Sequence, residues 1–359
     1  MALKKSNNPL ILITQLGKFG DTILSTPLFY ELKRIFPESH LTVISSRFAS
    51  VILKNCSAVD DIIEYSKNPV KIIKLFSGLK KYKYDYYIDI KEHFSKTSKL
   101  LKQKVKCNKS LGYSNEKINF DINLKEYLAG KHAVDYAIAP VNYFESMSFQ
   151  TKQTKSEELS LRAKRSKYEE LSLRAKRSNL SVISVPVNLK PILEIPEIIL
   201  NKFNYLSKIS DKKILLVNIS AGKIARQLET EKWIDIILSL QKNLFTGIIS
   251  TKKDFHKAEL ICNKTYAEYI KAINIYEVAS VVSYSDIVLS TDTSLIHIAS
   301  ALNKPVIGLF DNVEWNINKF YPLSDIKEVL ISDNPENLKS ITTEEIIKSV
   351  NGILYKISN

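Results

Sequence analysis

Short apolar runs, each followed by a segment of helical spacing, recur along the chain, and this rhythm limits its fold more than any other feature. In the first half the runs are Leu10–Gln15, Leu41–Ser45, Asp61–Tyr65, Tyr86–Ile90 and Ser110–Tyr113. Between them, Leu24–Phe36 places Leu24, Leu28, Leu32 and Ile35 on one helical face, and Val70–Leu79 is similar. Such alternation predicts an α/β fold with parallel strands and crossover helices. After Pro186–Pro196 the rhythm restarts, with strands expected at Lys213–Ile219, Thr246–Ser250, Asp286–Ser290 and Val306–Phe310 and a helix at Lys232–Leu240. The economical description is two Rossmann-like units, 1–190 and 191–340, joined near residue 190. An amphipathic helix over 341–359 is expected to pack back on the first unit. In such folds ligands bind at the carboxyl ends of the strands, here in the cleft between the halves.

At 359 residues, 45% hydrophobic and 25% charged, the chain has the composition of a globular protein large enough for two cores. No apolar run is long enough to span a membrane. The N-terminus lacks a small-residue cleavage pattern, and the three cysteines (Cys56, Cys107, Cys262) are scattered and odd in number. A cytoplasmic protein is therefore expected. The five histidines form no metal-ligand spacing, so no metal or resident cofactor is expected.

The formal charge is +14, which suits an anionic partner. Part of it is local. The sequence EELSLRAKRS occurs at Glu157–Ser166 and again at Glu169–Ser178, inside a polar insertion of about 151–180 that carries nine Lys/Arg and four Glu. Two copies make no solenoid. A polar helix or flexible excursion is the plain reading, and a basic arm touching anionic lipid the sharper one.

Three stretches could carry chemistry. Near the N-terminus, Gly17 and Gly20 allow a tight turn after the first strand, and Asp21 sits where a helix begins. Local pattern alone favours Asp21 as a helix cap over a catalytic base, because a helix N-terminus lowers a carboxylate's basicity. The second is Val217–Trp233: a strand ends in Ser220-Ala221-Gly222, Lys223 and Arg226 follow, and a helix capped by Thr230 is expected. Small residues let the backbone approach a phosphate, and a basic side chain neutralises it. A solvated basic loop is the bland alternative. The third, Ser285–Phe310, runs a buried strand into Thr291-Asp292-Thr293-Ser294 and a helix to about Asn303. Free N–H groups and hydroxyls there suit phosphate oxygens, with His297 one turn on, although Asp292 and Thr293 can equally serve as caps.

Taken in order, G-D-x-x-x-x-T-P (Gly20, Asp21, Thr26, Pro27), the strand–Gly-loop–basic–Trp segment and S-T-D-T-S-x-x-H-x-A-x-A-L-x-K-P resemble glycosyltransferase family 9, the lipopolysaccharide heptosyltransferases. The resemblance implies a GT-B fold and an inverting, metal-independent transferase using a nucleotide sugar, usually ADP-heptose, with an anionic lipid-linked saccharide as acceptor. It implies Asp21 as the base and Arg226 on the donor diphosphate. Ser220, Gly222, Lys223, Asp292, Thr293, Ser294 and His297 would complete the donor site. Lys18 and Lys91 are candidate acceptor contacts, and a basic face would meet the inner leaflet of the cytoplasmic membrane. The chain departs from the family at Arg226-Gln227-Leu228, where an aromatic is usual, at Ser294 in place of glycine, and at Thr251-Lys252-Lys253-Asp254, where glycine is common. Three alternatives stand beside it: a GT-B transferase with another nucleotide sugar, a non-catalytic sugar-binding protein, and a nucleic-acid binder suggested by charge alone. The last lacks any recognised module.

Overall fold

The structure, a computed structural model, describes residues 8–164 and 190–359. Its first sheet is built from β1 (Leu10–Gln15), β2 (His40–Ser45), β3 (Asp61–Glu64), β4 (Tyr84–Asp89), β5 (Cys107–Gly112) and β6 (Ile122–Asn123). The second holds β7 (Lys213–Asn218), β8 (Leu244–Ile249), β9 (Glu268–Tyr269), β10 (Ile287–Thr291), β11 (Val306–Phe310) and β12 (Lys327–Ile331). The helices of the first half are α1 (Phe19–Ile35), α2 (Arg47–Leu53), α3 (Pro69–Leu79), α4 (Lys96–Lys104) and α5 (Ala133–Lys164). Those that follow are α6 (Glu197–Lys202), α7 (Thr230–Leu240), α8 (Phe255–Lys264), α9 (Ile275–Tyr284), α10 (Ser294–Ala301), α11 (Glu314–Phe320) and α12 (Thr343–Ser358).

Every strand pairing within the two sheets is parallel. The orders are β3-β2-β1-β4-β5-β6 and β12-β11-β10-β7-β8-β9. Counted within each half these are one winding, the doubly wound 3-2-1-4-5-6 order. Its direction reverses between β1 and β4 in the first sheet and between β7 and β10 in the second. Those reversals leave crevices at the carboxyl ends of the strands.

Both faces of each sheet are covered, which is why β1, β7, β10 and β11 are almost continuously buried apolar runs. Leu24, Leu28 and Leu32 of α1 enter the core of the first half with Ile11, Ile13 and Val43. A second core is shared between the halves, where Ile23 of α1 and Ile52 of α2 pack with Leu295, Ile296 and Phe310. The halves therefore meet over apolar surface. Hydrogen bonds from the Tyr276 hydroxyl to the carbonyls of Val51 and Ile52, at 3.1 and 3.0 Å, add to that seam.

One expectation needs correction. Helix α12 lies on α7, β10 and β12 of the second half, with Ile346, Val350 and Ile353 in that core, and not on the first unit. The segment that does return to the first half is the connection after residue 190: Ile192 N–H donates to Thr26 Oγ1 at 2.7 Å, and Glu194 accepts from Tyr30 and Ser57. The insertion begins as the backbone of α5, which runs to Lys164; the rest of the first EELSLRAKRS copy and all of the second lie outside the described residues.

Candidate functional site

The turn after β1 is built by short-range hydrogen bonds. Gln15 Oε1 accepts from Gly17 N–H at 2.9 Å, Gln15 Nε2 donates to Ser25 Oγ at 2.6 Å, and Ser46 Oγ donates to the Gly17 carbonyl at 2.6 Å. A methyl group at Gly17 would lie 2.6 Å from Asp21 Cβ, so only glycine fits this turn. Helix α1 starts earlier than the leucine spacing suggests. Lys18 is its N-cap, which makes Asp21 the third residue of the helix and not the cap. The Asp21 carboxylate still serves the helix end: Oδ2 accepts from Lys18 N–H at 3.0 Å. Oδ1 has no hydrogen-bond partner among the described residues.

Asp21 lines a cavity of about 270 Å³ at the β1/β4 crevice, together with Gly17, Lys91 and Glu92. The end of β4 is fixed by Asp89, whose Oδ1 accepts from Lys91 N–H at 3.1 Å. Asp89 is buried, and that burial pushes its carboxyl above the usual range. Lys18 is exposed at the turn, and Lys91 is an exposed wall of the cavity. The far wall comes from the second half: Lys319 of α11 pairs with Glu92 at 2.6 Å and lies 5.4 Å from the Tyr136 ring centre. Sequence reading did not find Lys319, Glu92 or Tyr136, which reach the cavity from segments far apart along the chain.

At the β7/β10 crevice the motif residues form one network. Asn218 Nδ2 donates to the Ser220 carbonyl, Ser290 Oγ and Thr293 Oγ1 at 3.1, 3.0 and 3.2 Å. Thr293 caps α10, accepting from Leu295 N–H at 3.3 Å. Ser220 Oγ accepts from Thr251 N–H at 2.9 Å and donates to Asp254 Oδ2 at 2.5 Å. That hydroxyl is committed to the loop, which leaves the backbone towards Gly222 as the part that faces outward. Asp254 also accepts from Gln227 at 3.0 Å. Burial opposes its charge, but these hydrogen bonds outweigh burial and hold its carboxyl below the usual range. Gly222 and Lys223 are exposed, and Gly222 stands in open space. Helix α7 starts with Thr230 as its first residue after Glu229, so Thr230 is not its cap.

Arg226 is not a bare cation. Its Nε donates to Asp311 at 2.6 Å and its Nη1 to Asp292 at 3.0 Å, with the side chain only 15% exposed. Asp292 also accepts from Asn316 at 2.8 Å; burial is the largest influence on its carboxyl and pushes it up. One guanidinium thus sits between two carboxylates, leaving Nη2 without a hydrogen-bond partner among the described residues.

The two crevices meet where α1 and α10 begin. A methyl group at Gly20 would lie 2.9 Å from His297 Cδ2 and 3.8 Å from Ser294 Cα, so the missing side chain lets the two helix starts touch. Ser294 is half-buried at this contact. His297 does not share a free ligand face with it. The ring is 5% exposed, packs 5.9 Å from Phe320, and leaves Nδ1 unbonded. Burial and the neighbouring His132 lower its pKa to about 3, so the imidazole is neutral. Gly20, Ser294 and His297 therefore meet across the junction, with Asp21 the next residue along α1. Lys223 and Gly222 stay at the outer rim. Among the described residues no group of three or more His, Cys, Asp or Glu is arranged to hold a metal ion, and no helix is long and apolar enough to cross a membrane.

Comparison with known proteins reaches the same region. The family model for glycosyltransferase family 9 (heptosyltransferase) matches residues 72–350. Asp21 precedes that match, but a provisionally named glycosyltransferase of Haemophilus influenzae aligns over 97% of this chain and 95% of its own length at 23% identity. A provisionally named lipopolysaccharide heptosyltransferase 4 of Escherichia coli is 30% identical over 155 residues, 40% of each chain. Among solved structures, a family 9 glycosyl transferase of Veillonella parvula superposes with a TM-score of 0.72 at 16% identity, covering 98% of this chain and 100% of its own. The ADP-heptose lipopolysaccharide heptosyltransferase II of E. coli gives 0.69 at 16% identity, with 97% and 99% covered. An E. coli heptosyltransferase solved with ADP gives 0.66 at 15% identity, with 96% and 99% covered. The shared architecture is the two-sheet GT-B fold.

Proposed function

Because the chain belongs to glycosyltransferase family 9, we propose that it transfers heptose from ADP-heptose to an anionic lipid-linked saccharide of the lipopolysaccharide-core type, with inversion and without a metal. The observation that carries this reading is Asp21: one carboxylate oxygen is fixed by backbone, the other has no hydrogen-bond partner among the described residues, and the residue lines a cavity while the adjoining Gly20 touches the start of α10. In the proposed step an acceptor hydroxyl attacks the anomeric carbon from the face opposite the diphosphate. Its proton passes to Asp21 as the new C–O bond forms, and the bond to the diphosphate oxygen breaks. The departing charge is received by Arg226 Nη2, Lys223, backbone N–H groups of the Ser220–Gly222 loop and the N-terminus of α10. Asn218, Ser220, Asp292 and Thr293 hold those groups in place. Lys18, Lys91 and Lys319 meet anionic groups of the acceptor.

Glutamine and buried leucine follow Arg226 where the family often has an aromatic, which favours as second reading a related transferase with a different nucleotide sugar. A thermal-shift panel of ADP-, UDP-, GDP- and CMP-linked sugars separates the two. Stabilisation by ADP-heptose alone is expected, and a response confined to a UDP- or GDP-sugar overturns the donor. Asp21→Asn keeps the helix-capping acceptor and is expected to lower turnover by about 10²–10⁴-fold without abolishing donor binding. Full turnover in that variant removes Asp21 as the base.

A further inference from the structure

Helix α3 carries six large apolar side chains in eleven residues, yet only Leu79 is fully buried. At 100° per residue, Ile72, Leu75, Phe76 and Leu79 share one face, and Leu75, Phe76 and Leu79 pack into the core with Leu12, Ile44 and Tyr87. Val70 falls on the opposite face and Ile73 on the flank beside it, and they are 60% and 68% exposed. A surface helix ordinarily presents charged and polar residues there. Asn68 caps the first turn through Val70 N–H and Lys71 N–H, so this apolar pair is held in helical geometry.

The surroundings are one-signed. Lys67, Lys71, Lys74, Lys80, Lys81 and Lys83 are all exposed, and no Asp or Glu occurs between Glu64 and Asp85. Tyr82, 58% exposed, adds an amphipathic ring at the end of the helix. Apolar side chains standing outward amid lysines fit a surface that is both anionic and apolar beneath. A lipid bilayer with acidic headgroups has that layering, whereas nucleic acid offers the charge without an apolar layer for Val70 and Ile73. The N-terminal end of the patch is also well placed. Because α3 follows β3, its first turn lies at the carboxyl edge of the first sheet, the edge that holds Gly17, Asp21 and Lys91.

We propose that α3 and the lysine-rich turn after it are the membrane-docking face of this protein, with Val70 and Ile73 entering the headgroup layer of an anionic bilayer and the lysines pairing with lipid phosphates. This deepens the reading of a lipid-linked acceptor, since docking would bring the Asp21 cavity to the surface in which such an acceptor is anchored.

The test is flotation of the full-length protein with vesicles of phosphatidylcholine alone and of phosphatidylcholine mixed with phosphatidylglycerol. Binding only to the mixed vesicles, falling as salt rises, is expected. Val70→Ser/Ile73→Ser should weaken partitioning at least about tenfold, and Lys71→Glu/Lys74→Glu should weaken it at least about fivefold per lysine. Lys348→Glu, on α12, should leave it unchanged. All these side chains are exposed or half-buried, so thermal melts should match wild type. Stabilisation by ADP-heptose, followed in parallel, should be unaltered in every variant, which keeps a failure of docking distinct from a failure of the donor reading. Equal binding to neutral vesicles, no binding to the mixed vesicles, or wild-type binding by both α3 variants would overturn the proposal.

Discussion

At the scale of single residues, Gly20 shows how an absent side chain can be structural. Its hydrogen is all that separates the start of α1 from the His297 ring. Gly20→Ala should push α1 and α10 apart or force the ring from its pocket, destabilising the fold by about 1–3 kcal/mol, as overpacking does elsewhere. A urea-unfolding midpoint within error of wild type would count against that contact. Asp21 illustrates a different lesson. A carboxylate at a helix start suggested either a cap or a base, and the geometry gives its two oxygens separate circumstances: Oδ2 is tied to backbone while Oδ1 has no hydrogen-bond partner among the described residues. Cap and base are compatible roles for one side chain.

Among the elements, α1 explains why threonine and proline stand together in G-D-x-x-x-x-T-P. Pro27 interrupts the helix ladder and frees the Ile23 carbonyl, and the Thr26 hydroxyl donates to that carbonyl at 2.8 Å. The same hydroxyl oxygen accepts from Ile192 N–H, so it also anchors the chain as it passes between halves. In α5, Pro140 frees the Tyr136 carbonyl, which accepts from the Tyr113 hydroxyl at 2.6 Å. Thr26→Ala should therefore cost about 1–3 kcal/mol, and Thr26→Ser much less, both measurable as shifts in thermal midpoint. Equal losses for Ala and Ser would mean that the methyl group matters and the hydroxyl does not.

Strands such as β1, β10 and β11 were legible in the sequence because burial on both faces leaves an uninterrupted apolar run. Helix α5 was not, because over its whole length it lacks a consistent apolar stripe. The two-residue strands β6 and β9 are too short for any period to register. In the site, the Gly-Asp and Asp-Thr-Ser segments were readable since each is a contiguous strand-to-helix turn. Asp254, Asp311 and Lys319 were not, because their partners Ser220, Arg226 and Glu92 are brought to them only by tertiary folding.

For the molecule as a whole, acid should act at the junction between halves. His132 accepts from Val134 N–H through Nδ1, and its Nε2–H donates to the Tyr321 carbonyl at 3.1 Å, bridging the halves. Burial lowers its pKa, and His297 nearby is lowered to about 3. A histidine whose folded pKa lies below its unfolded value binds its proton more readily in the unfolded chain. Its contribution to stability is thus intact above about pH 6.5 and is lost as pH falls towards 3, by at most about 1.4 kcal/mol per unit for each histidine. Denaturant midpoints should fall between pH 7 and pH 5, and the fall should be shallower in His297→Gln. A pH-independent midpoint across that range would show that neither ring is held neutral.

The pairing of Arg226 with Asp292 and Asp311, and of Lys319 with Glu92, leaves the cleft's half-buried cations partly neutralised before any ligand arrives. An incoming anion there meets cations whose charge is already partly balanced, with Arg226 offering only Nη2 while Asp292 and Asp311 hold its other nitrogens, so net charge alone does not secure its entry. A monovalent anion gains little from such balanced cations, whereas an anion with several oxygens can spread them over several donors. Binding in this cleft should then depend on valence and shape more than on the chain's positive balance, because the cations that matter there are already paired.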